Sequence, residues 1–230
     1  ATKENSFAAF SLGKLYLAGD AALPRDPAAA LKWLTYAAEL GNQFAQYRLG
    51  KLLLKGDDGI PKDVIAAIRW LTAAAKQENG YAEYALALVY LTGEDAPKDS
   101  VKALSLLKRS AGRGNQFAQY RLGKLLLQGE DAPKDVKAAI RWLTAAAEQG
   151  NQYAQYALGK LYLLGKEVPK DRSSAIKWFQ LATDQGNEYA QYFLEHMDDR
   201  LGQPPVAAVI SLFHHLANIF QEQNQPPPSG

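Results

Sequence analysis

Ser11-Leu-Gly-Lys14 and Ser105-Leu-Leu-Lys108 both have the S-x-x-K spacing that sets a lysine amine one helical turn from a serine hydroxyl. In acyl-transfer enzymes that pairing activates the serine as a nucleophile. The elements that complete such a site, S-D-N and K-T-G, are missing from the sequence, so the pairing stands alone. Histidine, the usual general base, occurs three times, as His196, His214 and His215. Adjacent helical residues point about 100° apart, so His214 and His215 cannot easily share a metal. His196 has only Asp199 and Arg200 at helical spacing. The acidic pairs Asp57-Asp58, Glu94-Asp95 and Glu130-Asp131 lack the alternating oxygen ligands and distal Glu of a calcium loop. They read as solvated loop charge. Glycines occur as singletons that close helices, not as a phosphate cradle. No catalytic residue, cofactor or metal is expected.

Composition narrows the classes further. A chain of 230 residues with 47% hydrophobic and 22% charged residues folds into a core. The absence of cysteine excludes disulfides, thiolate metal sites and cysteine nucleophiles. A net charge of +2 supplies no global field toward nucleic acid or anionic membrane. No apolar run approaches the roughly 18 residues of a membrane span. No signal-peptide pattern opens the chain. That favours a cytoplasmic protein, or an exported one whose leader has been removed. The start at Ala1-Thr2-Lys3 is read as that of a segment from a longer protein.

What positions these side chains is a repeat. The stretch FAQYRLGKLLL at residues 44–54 recurs unchanged at 117–127. Around it, Ala8, Ala45, Ala82, Ala118, Ala154 and Ala190 stand 37, 37, 36, 36 and 36 positions apart, each followed four residues later by Leu. Periods of this size signal a stacked array. Each unit reads as two helices. Ala45, Leu49, Leu52 and Leu53 form one apolar face, and Gly56 stops that helix. Pro61 and then Asp63 open the next, Asp being able to accept bonds from the free amides of a helix start. Ala67, Trp70, Leu71 and Ala74 make its buried face. Gly50 and Ala67 are expected to let the two helices approach, with Trp70 and its counterparts filling the gap toward a neighbouring unit. The third unit departs most. Ala87 replaces Gly, Leu106 replaces Trp, and Glu78-Asn79-Gly80 reads as a terminal Gly displaced by two.

The pattern A-x-x-x-L-G-x-L-[YL]-x-x-G followed by P-[KR]-D-x-x-x-A-x-x-W-[LF]-x-x-A resembles the Sel1-like repeat, a relative of the tetratricopeptide repeat. The resemblance covers residues 7–201, about five units plus the first helix of a sixth. It implies an all-α, right-handed superhelical solenoid of paired antiparallel helices, spanning residues 1–202. It also implies that the first helices line the concave side. Carried over by the shared Leu-Gly, one inward row is Phe7, Phe44, Tyr81, Phe117, Tyr153 and Tyr189. The next is Phe10, Tyr47, Tyr84, Tyr120, Tyr156 and Tyr192, with Arg48 and Arg121 beside it. The third is Lys14, Lys51, Leu88, Lys124, Lys160 and His196. The first row is expected to pack helix against helix, and the second row, with the lysines, to form a groove. These rows hold no Asn, so a carboxylate clamp of the tetratricopeptide kind is not expected.

The sequence past residue 202 leaves the pattern. VAAVISLFHHLANIFQEQ carries Val206, Val209, Phe213, Leu216 and Phe220 on one edge. It is read as a capping helix over 203–223 or a docking helix for a partner or second copy, before a Pro-rich tail at 224–230. The run QYALGKLYLLGKEVPKD, with AQYFLEHMD and the His-His segment, resembles repeat tails attached to mobilisation relaxases of gut bacteria. Taken together, the reading is a non-catalytic scaffold that binds protein or peptide, of acidic character, in an aromatic and basic groove. Two other classes fit parts of the pattern. Some Sel1-like proteins are linked to β-lactam binding, which would give S-x-x-K a role. Aromatic and basic rows also suit a single-strand nucleic-acid accessory module, although near-neutral charge and acidic loops oppose it.

Overall fold

The computed structural model describes residues 2–19, 22–56 and 59–197, the side chains of residues 2–4 excepted. Asp57, Asp58, His214, His215, the segment expected as a helix over 203–223 and the tail at 224–230 lie outside the described residues. Among the described residues there are helices and no strand: α1 (Thr2–Ala18), α2 (Pro27–Glu39), α3 (Gln43–Lys55), α4 (Val64–Lys76), α5 (Gly80–Thr92), α6 (Ser100–Gly112), α7 (Gln116–Gln128), α8 (Val136–Glu148), α9 (Gln152–Leu164), α10 (Arg172–Thr183) and α11 (Glu188–Glu195). Each helix packs on the one before and the one after, so five hairpins stand in line and α11 takes the first-helix place after them. The architecture is an all-α solenoid.

Helix boundaries follow from side chains that satisfy free amides. Asp26, Asp63, Asp99, Asp135 and Asp171 each accept the amide three residues on, at 2.9–3.0 Å. The first helices are capped in the same way by Asn42, Asn79, Asn115, Asn151 and Asn187, which are buried by stacking. Within a hairpin the two helices meet at a Gly. A β-carbon on Gly50 would stand 2.6 Å from Leu71 Cγ, and one on Gly123 would stand 2.7 Å from Leu143 Cγ. The residue pressed onto this waist is therefore the one after each Trp, namely Leu34, Leu71, Leu143 or Phe179, and it is fully buried. Trp33, Trp70, Trp142 and Trp178 are only half-buried, with Arg69, Arg141 and Lys177 over three of the rings. From that position they pack against the edges of the core clusters.

The joints between repeats are polar at one edge. Gln46 Nε2 donates to Ala38 O of the preceding repeat at 3.0 Å, and Gln46 Oε1 accepts from Gln77 Nε2 at 2.8 Å. Gln119 with Gln149, and Gln155 with Gln185, repeat the arrangement. Along the loops Lys62 meets Asp95 at 2.6 Å, Lys98 meets Asp131 at 2.8 Å and Lys134 meets Glu167 at 2.8 Å. Asp95 and Asp131, expected to be solvated, are thus ion-paired across repeats. Such exposed pairs contribute little each, of order 0–1 kcal/mol.

The third repeat solves the same joint with charge. Glu83 stands where the second, fourth and fifth repeats have Gln, is 0% exposed, and cannot donate. Arg113, in the place of Gln77 and Gln149, donates through Nε to Glu83 Oε2 at 3.2 Å. Arg109 Nη2 lies 2.6 Å from Glu83 Oε1, a charge contact without hydrogen-bond alignment, and donates to Ala75 O at 3.3 Å. It thereby supplies the donor that Gln provides at the other joints. Glu78, not a displaced Gly, takes the left-handed turn (φ 67°), and its carboxylate meets Arg113 Nη1 at 3.0 Å. That hydrogen bond holds the Glu78 carboxyl below its ordinary pKa. Gly80 instead begins α5.

Replacing Arg109 and Arg113 together with Ala strands the Glu83 carboxylate in the joint. The expected loss is roughly 3 kcal/mol or more in urea unfolding. Converting the trio to the residues of the other joints (Glu83→Gln, Arg109→Ala, Arg113→Gln) should recover most of that loss. A trio no more stable than the double variant would contradict the assignment.

Candidate functional site

The first helices present a ladder of rings and amines. Ring pairs join successive repeats: Phe10 with Phe44, Tyr47 with Tyr81, Tyr84 with Phe117, Tyr120 with Tyr153 and Tyr156 with Tyr189, at centroid separations of 5.9–6.4 Å. The expected division between a packing row and a groove row does not hold in that form, because each pair takes one ring from each row. Rings of the first row remain well exposed at one end of the chain, Phe44 at 46% and Tyr81 at 54%. Offset or tilted pairs at these distances add about 0.5–1.5 kcal/mol beyond the area they cover.

A lysine one turn on lies against four of the six second-row rings. Lys14 Nζ is 5.8 Å from the Phe10 centroid, Lys51 is 5.8 Å from Tyr47, Lys124 is 5.7 Å from Tyr120, and Lys160 is 5.6 Å from Tyr156. The i, i+4 spacing on a helix brings them together. In the third repeat this place belongs to Leu88, half-buried and outside the core clusters. His196 closes the row, stacked on Tyr192 at 4.2 Å with Nδ1 2.8 Å from Tyr192 O.

Burial sets the electrostatics. Loss of water pushes the Tyr47 hydroxyl up to about 12 and raises Tyr84 and Tyr156 as well. The same desolvation lowers Lys51, Lys124 and Lys160, helped by Arg48 and Lys55 at Lys51, by Arg121 and Lys160 at Lys124, and by Lys166 at Lys160. Arg121 also acts on Tyr84 of the repeat before it, so it faces the same surface. Positive charge is therefore crowded where water is partly excluded, an arrangement that favours an incoming carboxylate.

The other chemical candidates do not assemble. Ser11, Lys14, Ser105 and Lys108 are all solvent-exposed. A shallow concavity of about 730 Å³ lies on α2 against Leu31, Trp33 and Tyr36, and includes neither serine. A smaller one of about 250 Å³ sits where Leu106 replaces Trp, against Thr72, Leu86, Tyr90 and Lys102, again without a serine. Among the described residues no cluster of His, Asp and Glu could hold a metal ion. No described helix is long and apolar enough to cross a membrane.

The repeat units coincide with a known family pattern. The model of the Sel1 repeat matches residues 6–42, 43–79, 80–115, 116–151 and 152–187. The chain belongs to the Sel1 repeat family. Solved structures agree. c5321, a protective antigen of uropathogenic Escherichia coli displaying an SLR fold, is 34% identical over 86% of this chain with a TM-score of 0.76. A Sel1 repeat protein from Oxalobacter formigenes is 33% identical over 84% of it, with a TM-score of 0.75. This chain spans 42% and 56% of those two chains. Immunity protein Pa5087 of Pseudomonas aeruginosa shares the fold at 22% identity and a TM-score of 0.56, over 86% of this chain and 73% of its own. No curated protein matches the chain. Sel1 repeat proteins generally serve as protein-interaction scaffolds.

Side-chain carbon NMR of ¹³C-methylated lysines checks the electrostatics of the ladder. Lys51, Lys124 and Lys160 should titrate below the midpoints they show in the urea-unfolded chain, because burial and neighbouring cations disfavour the charged amine. An upward shift at any of the three would contradict the burial described.

Proposed function

We propose that this chain is a non-catalytic scaffold whose first-helix face is a groove for a protein or peptide of acidic character. The observation that carries the reading is the ladder itself: half-buried tyrosines, each set between a ring of the next repeat and a file of partly desolvated lysines. Aromatic rings offer large contact area with little side-chain entropy to lose, and the lysines and Arg48 and Arg121 add steering and carboxylate contacts.

The groove residues are Tyr47, Tyr84, Tyr120 and Tyr156, with Lys14, Lys51, Leu88, Lys124, Lys160, Arg48 and Arg121 around them. Reversing charge in the variant Lys51→Glu, Lys124→Glu, Lys160→Glu tests it. Partners retained from a lysate of the source organism by the wild type should be lost by the variant, while helical content by circular dichroism is unchanged. Identical partner lists would overturn the groove.

A further inference from the structure

Residues 43–54 and 116–127 are identical, so repeats two and four present the same first-helix face twice. Each copy aligns Tyr, Arg and Lys: Tyr47, Arg48 and Lys51 in one, Tyr120, Arg121 and Lys124 in the other. The copies have matching geometry. Lysine-to-ring distances are 5.8 and 5.7 Å, and ring pairs to the next repeat are 5.9 and 6.0 Å. In both, the arginine Nε is buried without a hydrogen-bond partner among the described residues. Between them the third repeat offers Tyr84, Ala85 and Leu88, with the well-exposed Tyr81 ring beside them. Leu88 is not consumed by the core, so it is an apolar surface position in a row that is otherwise basic from Lys14 to Lys160. The face thus alternates: basic over repeat two, apolar over repeat three, basic over repeats four and five, where Lys160 adds to Arg121 and Lys124.

We propose that the groove takes a two-part ligand, an acidic–apolar–acidic peptide whose acidic clusters meet repeats two and four while its middle lies over Tyr84 and Leu88. The proposal rests on the groove reading above and specifies its ligand. Like charges crowd at each basic copy, Arg48 against Lys51 and Arg121 against Lys124, and a carboxylate relieves both. A carboxylate placed over Leu88 would be desolvated with no cation supplied by that repeat, which is unfavourable. Spacing follows from helix packing. With neighbouring axes about 10 Å apart, two repeats advance the groove by about 20 Å. An extended chain covers that in about six residues at about 3.3 Å each.

The test uses two fluorescein-labelled probes of one composition. In Glu-Glu-Ala-Leu-Val-Ala-Glu-Glu the acids flank the apolar centre, and in Ala-Leu-Glu-Glu-Glu-Glu-Val-Ala they occupy it. Fluorescence anisotropy should show the flanked probe binding the wild type about tenfold more tightly than the other, as expected when a specific site penalises misplaced charge. In Leu88→Lys, which installs the residue most other repeats carry, that preference should fall to about threefold or less, because the centre then accepts acids. Equal binding of the two probes to the wild type, or a preference untouched by Leu88→Lys, would overturn the two-part ligand and leave an undifferentiated acidic groove. Failure of both probes to bind at all would overturn the groove reading and the two-part ligand with it.

Discussion

A helical hairpin closed on a glycine waist cannot cover its own flanks. Pressing Leu71 onto Gly50, or Leu143 onto Gly123, uses up the apolar surface between two helices and leaves apolar sides facing along the chain. Only another hairpin can cover them. The core accordingly runs through the joints, and one continuous cluster extends from Leu71 in α4 to Ala139 in α8. Everything else is built at those joints: the asparagine caps buried by the neighbour, the glutamine pairs, the Lys–Asp contacts along the loops and the ring pairs on the first helices. The ring face proposed for partner recognition is also a surface that holds the repeats together.

The third repeat shows how one joint can be rewritten without changing the fold. Exchanging Gln for Glu at position 83 removes a donor and brings in a buried charge. Arg109 and Arg113 restore both, Arg109 to the Ala75 carbonyl and both to the carboxylate. The same repeat carries Leu88 in place of Lys, Leu106 in place of Trp, and Glu78 at a turn where other repeats use Gly. Its departures are coupled by contact on the joint side, because Glu78 and Glu83 share Arg113. They alter the groove side in the same unit.

Local chemistry was legible in the sequence where one helix or one turn decides it. The 36–37-residue period, the aspartate caps and the glycine waist each depend on residues within a few positions of one another along the chain or at fixed repeat spacing. Contacts between side chains about 30 residues apart were not legible, because they depend on how far successive hairpins rotate. Asp95 and Asp131 looked solvated until the neighbouring Lys62 and Lys98 were placed beside them. The glutamines carry a signal of their own: polar residues at Gln46, Gln119 and Gln155 recur inside an apolar face, and buried polar groups need partners. At the waist Leu71 packs on Gly50, and the neighbouring Trp70 indole packs at the edge of the core with Arg69 over it. On the first-helix face the residue rows were readable. Their pairing across repeats was not.

The most direct measurement of the central claim is a two-dimensional amide NMR map of this chain titrated with the flanked acidic peptide. If the first-helix face is the groove, shift changes concentrate on α3, α5, α7 and α9, around Tyr47–Lys51, Tyr84–Leu88, Tyr120–Lys124 and Tyr156–Lys160, and spare α4, α8 and α10. Changes centred on those second helices, or on the loops that carry Asp95 and Asp131, would contradict it.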